Sequence, residues 1–227
     1  MASVSEAVAG ILARAFQDDP FWLYVTPDEE IRERQLRDWF PLGVRYGQVY
    51  GTIDTEGDGQ VVGAALWLPP DKHEMTFWRM LRTGMLRTRR MFGPTSFDRL
   101  NAAGHALDAS RVRLMPPDAE YLWILGVDPD FRGRGHGGAT IGIGLARTDA
   151  KGKAAYLETY KERNLAFYGR HGFEVVTAER PPEGPPFWTL LRPANQGGRA
   201  TPDPDCQGGR AKPDPTDQGG RATPDPD

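Results

Sequence analysis

The chain has 227 residues, with 28 Lys and Arg against 31 Asp and Glu, a formal charge of −3 at pH 7. That length suits one domain of moderate size, and the near-neutral balance argues against a nucleic-acid-binding domain. Cys206 is the single cysteine, so no intrachain disulfide can form, and no apolar run approaches the ~20 residues of a membrane span. A soluble cytoplasmic protein without nucleic-acid or membrane partners is expected, its oligomeric state left open.

Val4, Val8, Ile11, Leu12 and Phe16 share one helical face. Thr26-Pro27-Asp28-Glu29 has the form of a capping box with proline at the first helical position, so a helix is expected from there to about Tyr46, kinked at Pro41. Gln48–Asp54 and Val61–Leu68 read as a hairpin around Glu56-Gly57-Asp58-Gly59. Residues 74–113 look helical with a break at Gly93-Pro94. Arg79, Arg82, Arg87, Arg89 and Arg90 give this stretch a basic face, expected to be solvated. Tyr121–Val127 is an apolar strand, followed by a glycine-rich loop and a helix to about Ala150. A strand over Ala154–Thr159, a short helix over Arg163–His171, and strands over Phe173–Thr177 and Pro186–Leu191 complete the folded part. The order predicts an α+β fold, with a mixed, mostly antiparallel central sheet and flanking helices, spanning residues 1–194.

Residues 195–227 are three repeats of eleven residues with the pattern x-Gln-Gly-Gly-Arg-Ala-x-Pro-Asp-Pro-x. Each unit has one apolar side chain, too little burial to offset the entropy of ordering, so a disordered tail is expected.

Arg132-Gly133-Arg134-Gly135-His136-Gly137 carries the most chemical information. A strand, a glycine-rich loop and a helix N-terminus together form an anion cradle of free backbone N–H groups at the positive end of the helix dipole. Gly133-x-Gly135-x-x-Gly138 matches the dinucleotide fingerprint, with Glu158 about twenty residues on. That reading fails on context: five residues separate Val127 from Gly133, and too few parallel strands remain. A Walker loop is absent.

Val127-Asp128-Pro129-Asp130-Phe131-Arg132-Gly133-Arg134-Gly135-His136-Gly137 resembles the acetyl-CoA motif of the GNAT superfamily of N-acetyltransferases. About thirty residues later, Asn164-Leu165-Ala166-Phe167-Tyr168 with Gly172-Phe173 resembles the superfamily's second motif. Along residues 11–192 the chain is further similar to the puromycin N-acetyltransferase group, in Ala15-Phe16, Asp19-Pro20, Tyr156-Leu157-Glu158-Thr159 and Pro182-Glu183-Gly184-Pro185. The superfamily's usual strand before the first helix has little room here.

The resemblance implies transfer of acetyl from acetyl-CoA to an amine. A small-molecule amine is expected, such as an antibiotic or xenobiotic. Alternatives are acetylation of protein N-termini or lysines, and a non-catalytic acyl-CoA-binding module. The backbone of Gly133, Arg134, Gly135, His136, Gly137 and Gly138, with the charges of Arg132 and Arg134, would bind the pyrophosphate. His136 would lend only its amide, and no metal is expected, since no second ligand sits at zinc-like spacing. The amides of Leu125 and Val127 would meet the thioester end, with Gly126 a candidate bulge. Tyr168 would protonate the leaving thiolate, or is a core aromatic. Asn164 would bond the pantetheine arm or cap its helix. Glu158 would deprotonate the amine, or is a solvated strand-end carboxylate. Asp18 and Asp19 would attract a cationic amine, or form a solvated pair. Trp22 and Trp67 would wall the acceptor pocket, or pack in the core.

Overall fold

The computed structural model describes residues 3–195. The expected disordered repeat tail and Cys206 therefore lie outside the described residues. Helix α1 (Val4–Ala15) begins with a reciprocal cap, in which the Glu6 amide donates to Ser3 Oγ and the Ser3 amide to Glu6. Helix α2 (Pro20–Val25) follows, with Asp19 as cap and proline in the first turn. This short helix was not anticipated; Asp19-Pro20 is its signal.

Helix α3 (Glu29–Tyr50) is capped by Asp28, whose Oδ1 accepts from the Ile31 amide at 2.9 Å. The expected cap, Thr26, is turned elsewhere: its hydroxyl donates to Gln35 Oε1 at 2.6 Å inside the core. A buried side-chain acceptor outcompetes a surface cap for that hydroxyl, so the helix starts two residues later than the sequence pattern suggests. Pro41 sits within α3 on its exposed face.

A six-stranded sheet forms the centre, in the order β1 (Thr52–Glu56), β2 (Gly63–Leu68), β3 (Glu120–Val127), β4 (Ala155–Thr159), β6 (Phe187–Arg192), β5 (Glu174–Glu179). Every neighbouring pair is antiparallel except β3 and β4. Among the described residues no strand precedes α1. Between β2 and β3 stand α4 (Phe77–Thr83) and α5 (Thr88–Leu114), the latter interrupted by the left-handed Gly93 just before Pro94, where the break was expected. Helix α6 (His136–Ala150) connects β3 to β4, and α7 (Leu165–Arg170) connects β4 to β5.

The alternation of β2 divides the core. Ala64, Leu66 and Leu68 face Leu12, Phe40, Val44 and Tyr46 of α1 and α3, while Ala65 and Trp67 face Ile141 and Leu145 of α6. Trp67 is thus a core residue. Burying Ile141 and Leu145 is worth about 2 kcal/mol each. Arg147 reinforces this contact with a bidentate pair to Asp54 of β1 at 2.7 and 2.8 Å.

The bulge expected at Gly126 lies elsewhere. Gly126 pairs regularly with Ala64, whereas the register of β2 against β3 shifts between Leu66 and Trp67, leaving Trp123 as the extra residue. Gly126 answers a packing demand instead: a Cβ there would lie 2.6 Å from Leu12 Cδ2. Helix α6 has a tighter approach, because a Cβ on Gly144 would lie 2.2 Å from Trp67 Nε1, against a stiff indole. Gly142 on the same helix has open space at that position. Gly144→Ala is therefore expected to lose about 1–3 kcal/mol, and Gly142→Ala to gain about 0.5–1 kcal/mol, in chemical denaturation.

Candidate active site

The parallel pairing of β3 with β4 is brief. Glu120 faces Ala155 and Tyr121 faces Tyr156, and beyond these the strands diverge. β3 stays with β2 to Val127, while β4 stays with β6 to Thr159. The Asp128 amide donates to Val62 on the β2 side, so alternation directs the amides of Gly126 and Ile124 to β2 and those of Leu125 and Val127 to the open side. That opening belongs to a cavity of about 810 Å³, lined among others by Leu125, Val127, Glu158, Asn164 and Tyr168.

The glycine-rich loop lies at the end of β3. Asp128 accepts from the Asp130 amide and pairs with Arg14 of α1, fixing the turn Pro129–Phe131. Gly133 and Gly135 have φ of 77° and 86°, the region where glycine is free of strain, and nothing lies within 4 Å of where their Cβ atoms would stand. The first amide bond within α6 runs from Ala139 to Gly135, at 3.1 Å, which leaves the amides of His136, Gly137 and Gly138 unused by the helix. The imidazole Nδ1 of His136 lies 2.7 Å from Glu56 Oε2, tying the helix start to β1 and leaving the backbone as the group His136 can offer. The arginines point away from that cradle. Arg132 donates to the Ala15 carbonyl at 2.8 Å and lies 3.6 Å from Asp18, and Arg134 lies over the Phe131 ring.

Glu158 is not a solvated carboxylate. Its side chain is 3% exposed, and Arg111 of α5, itself 7% exposed, donates Nε–H to Oε1 at 3.2 Å. The same guanidinium donates to Asp108 at 2.8 Å and to the Tyr121 hydroxyl at 3.1 Å. Burial pushes the Glu158 carboxyl above its ordinary value, with the Arg111 charge opposing. Tyr168 is 7% exposed, packed edge-on against Phe167 and Phe173. Burial, aided by the Asp19 charge, raises its phenol well above 10, so it stays protonated and has a proton to donate. Asn164 makes no cap to α7; its Nδ2 is 3.5 Å from Thr159 Oγ1.

The two aspartates separate. Asp18 is half exposed and accepts from Lys161 at 2.7 Å and Arg163 at 2.8 Å. Partial burial would raise its pKa, but these cations and Arg132 prevail and hold it at about 2. Asp19 is buried at the cavity wall, accepting from the Phe21 amide at 3.1 Å with Lys161 at 3.8 Å. Desolvation pushes its carboxyl up to about 6. Buried Arg32, bonded to the carbonyls of Gln17, Thr26 and Pro27, fixes the segment that carries both. Trp22 is 5% exposed and packs against Trp39 and Phe92, so it serves the core and one cavity wall together.

Arg111, Asp108, Tyr121 and His73 were not anticipated. The sequence offers no local mark distinguishing Arg111 from Arg113; only the packing of α5 over β4 turns one inward. No group of three or more His, Cys, Asp or Glu able to hold a metal occurs among the described residues, and none of their helices is long and apolar enough to cross a membrane.

No family model matches the chain. Over 61 residues it is 39% identical to a mycothiol acetyltransferase from Propionibacterium freudenreichii subsp. shermanii, covering 26% of this chain and 20% of that protein. The chain thus matches about a fifth of the length of that curated relative. A solved structure from Corynebacterium glutamicum, described as histone acetyltransferase HPA2 and related acetyltransferase, superposes with a TM-score of 0.61 at 25% identity, covering 85% of this chain and 93% of that one. The polyamine N-acetyltransferase of Drosophila melanogaster shares the fold at a TM-score of 0.51 and 18% identity, covering 80% of this chain and 90% of that one. The chain has the fold of the GNAT acetyltransferases.

Asp19 provides a test of this electrostatic arrangement. Its folded pKa of about 6 exceeds the ordinary 3.8, so its neutral form is favoured by folding. The associated stability is present below the unfolded pKa and lost as pH rises through about 6, a change of roughly 3 kcal/mol for a shift of about two units. Asp19→Asn, which keeps an acceptor for Phe21, is expected to be the more stable protein by up to that amount at about pH 8. The advantage should vanish below about pH 4, as read by urea unfolding at both pH values.

Proposed function

We propose that this chain is an acetyl-CoA-dependent N-acetyltransferase that acetylates a small-molecule amine. One observation carries the reading: a single cavity joins a slot of open backbone amides at the end of β3 to a buried carboxylate, Glu158, and a buried phenol, Tyr168. A binding module would need the slot but neither of the other two.

The residues fit the cofactor's demands. The free amides of His136, Gly137 and Gly138, reached through an open glycine turn, suit a pyrophosphate. Gly133, Arg134 and Gly135 line the same turn, and Arg132 and Arg134 add positive potential without needing direct contact. Leu125 and Val127 extend the edge of β3 along which the pantetheine arm would lie, with Asn164 across the gap. The acetyl thioester supplies the electrophile.

Glu158 takes the proton of the amine as its nitrogen bonds to the thioester carbonyl carbon. An amide of Leu125 or Val127 meets the oxyanion that develops, a contact of the kind worth about 3 kcal/mol. The carbon–sulfur bond then breaks, and Tyr168 donates its proton to the leaving thiolate. Arg111 holds Glu158 in place and keeps its pKa from rising further. Among acceptors, an antibiotic or other xenobiotic amine accords with the resemblance of residues 11–192 to the puromycin N-acetyltransferase group.

The expected outcome for Tyr168→Phe is a fall in kcat of about 10²-fold with acetyl-CoA affinity unchanged, measured by thiol release and calorimetry. For the wild type, the rate should climb with pH along an acid limb above the ordinary glutamate value, because the active form of Glu158 is ionised and burial raises its pKa. Glu158→Gln should lower the rate and abolish that limb. Turnover by either variant equal to wild type across the pH range overturns its assignment.

A further inference from the structure

Beyond the slot the cavity continues between α2, α3, α4 and α5, and its wall there is aromatic and thioether: Trp22, Trp39, Phe97, Met75, Met80 and Met85. Three acidic side chains reach the cavity, and each already has a cation. Asp108 and Glu158 share Arg111, and Asp19 faces Lys161. Five basic side chains line it: Arg89, Arg111, Arg132, Lys161 and Arg163. Asp18, outside the lining itself, pairs with Arg132, Lys161 and Arg163, and with it counted the charges still sum to net positive, so among the described residues a second or third ammonium on an acceptor finds no unpaired carboxylate.

We propose that the acceptor is a monoamine on an aromatic or otherwise apolar body, and not a polyamine. This inference rests on the acetyltransferase reading. The apolar body fills the aromatic and methionine chamber, and its one amine reaches Glu158.

Thiol release with acetyl-CoA and four probes, 2-phenylethylamine, tryptamine, spermidine and agmatine, tests it. The two aryl amines are expected to exceed the two polycations in kcat/KM by about 10²-fold. Phe97→Ala should raise KM for the aryl amines, and Arg89→Glu, an exposed position at the chamber edge, should narrow the gap by admitting spermidine. Should spermidine or agmatine match or exceed the aryl amines in the wild type, the inference falls while the acetyltransferase reading stands. Turnover of none of the four overturns the inference, and binding of acetyl-CoA with turnover of no amine in a wider panel that includes amine antibiotics overturns both.

Discussion

Strands β3 and β4 are held together at one end and pulled apart at the other. Each has a stronger partner on its far side: β3 follows β2 to its end and β4 follows β6 to its end, so two short parallel contacts at Glu120 and Tyr121 are all that joins them. Right-handed sheet twist widens such a gap with distance. The gap turns the outward amides of Leu125 and Val127 from ladder donors into free donors, and it admits α5 over the end of β4. The cavity, the glycine turn at its rim and the side chains of β4 and α7 that line it are consequences of this one divergence.

The second constraint is the buried charge inside that gap. An arginine and a glutamate taken out of water together rarely add net stability, since desolvation offsets most of their attraction. Arg111 and Glu158 are both nearly inaccessible, and Arg111 also serves Asp108 and Tyr121. An apolar pair would pack there without that cost. What the ionic pair achieves is a carboxylate raised in pKa yet still ionisable, held at fixed position against a tyrosine. Asp19 and Asp18 repeat the contrast: adjacent in sequence, they are driven in opposite directions, one by desolvation and the other by three cations. Environment, not residue type, assigns the role.

Rigidity at the rim follows from similar economy of contacts. His136 is anchored to Glu56, Arg132 to Ala15 and Asp18, and Asp128 to Arg14, so the loop's side chains secure it to β1, α1 and the segment after α1. Its main chain is thereby left unencumbered. A loop whose arginines reached outward would gain charge but lose this support.

Much of this protein is legible in the sequence, because some features are local. The strand and helix periodicities, the break at Gly93-Pro94 and the strand–glycine turn–helix at residues 121–150 follow from nearest neighbours along the chain. So does the cradle at Gly133 and Gly135, since backbone conformation and helix polarity need no distant partner. Where tertiary contacts compete, local rules fail: Thr26 leaves its capping position for Gln35, and Gly126 is small for the sake of Leu12 and not for a bulge. Glu158 and Tyr168 could be singled out only by motif, and Arg111 not at all. Their burial, their pairing and the cavity between them arise where α5, β4 and α7 meet, and desolvation is a property of that meeting which no segment carries alone. The sequence by itself determined the elements and the open glycine turn, whereas folding decided which charges went into the interior and what they would face there.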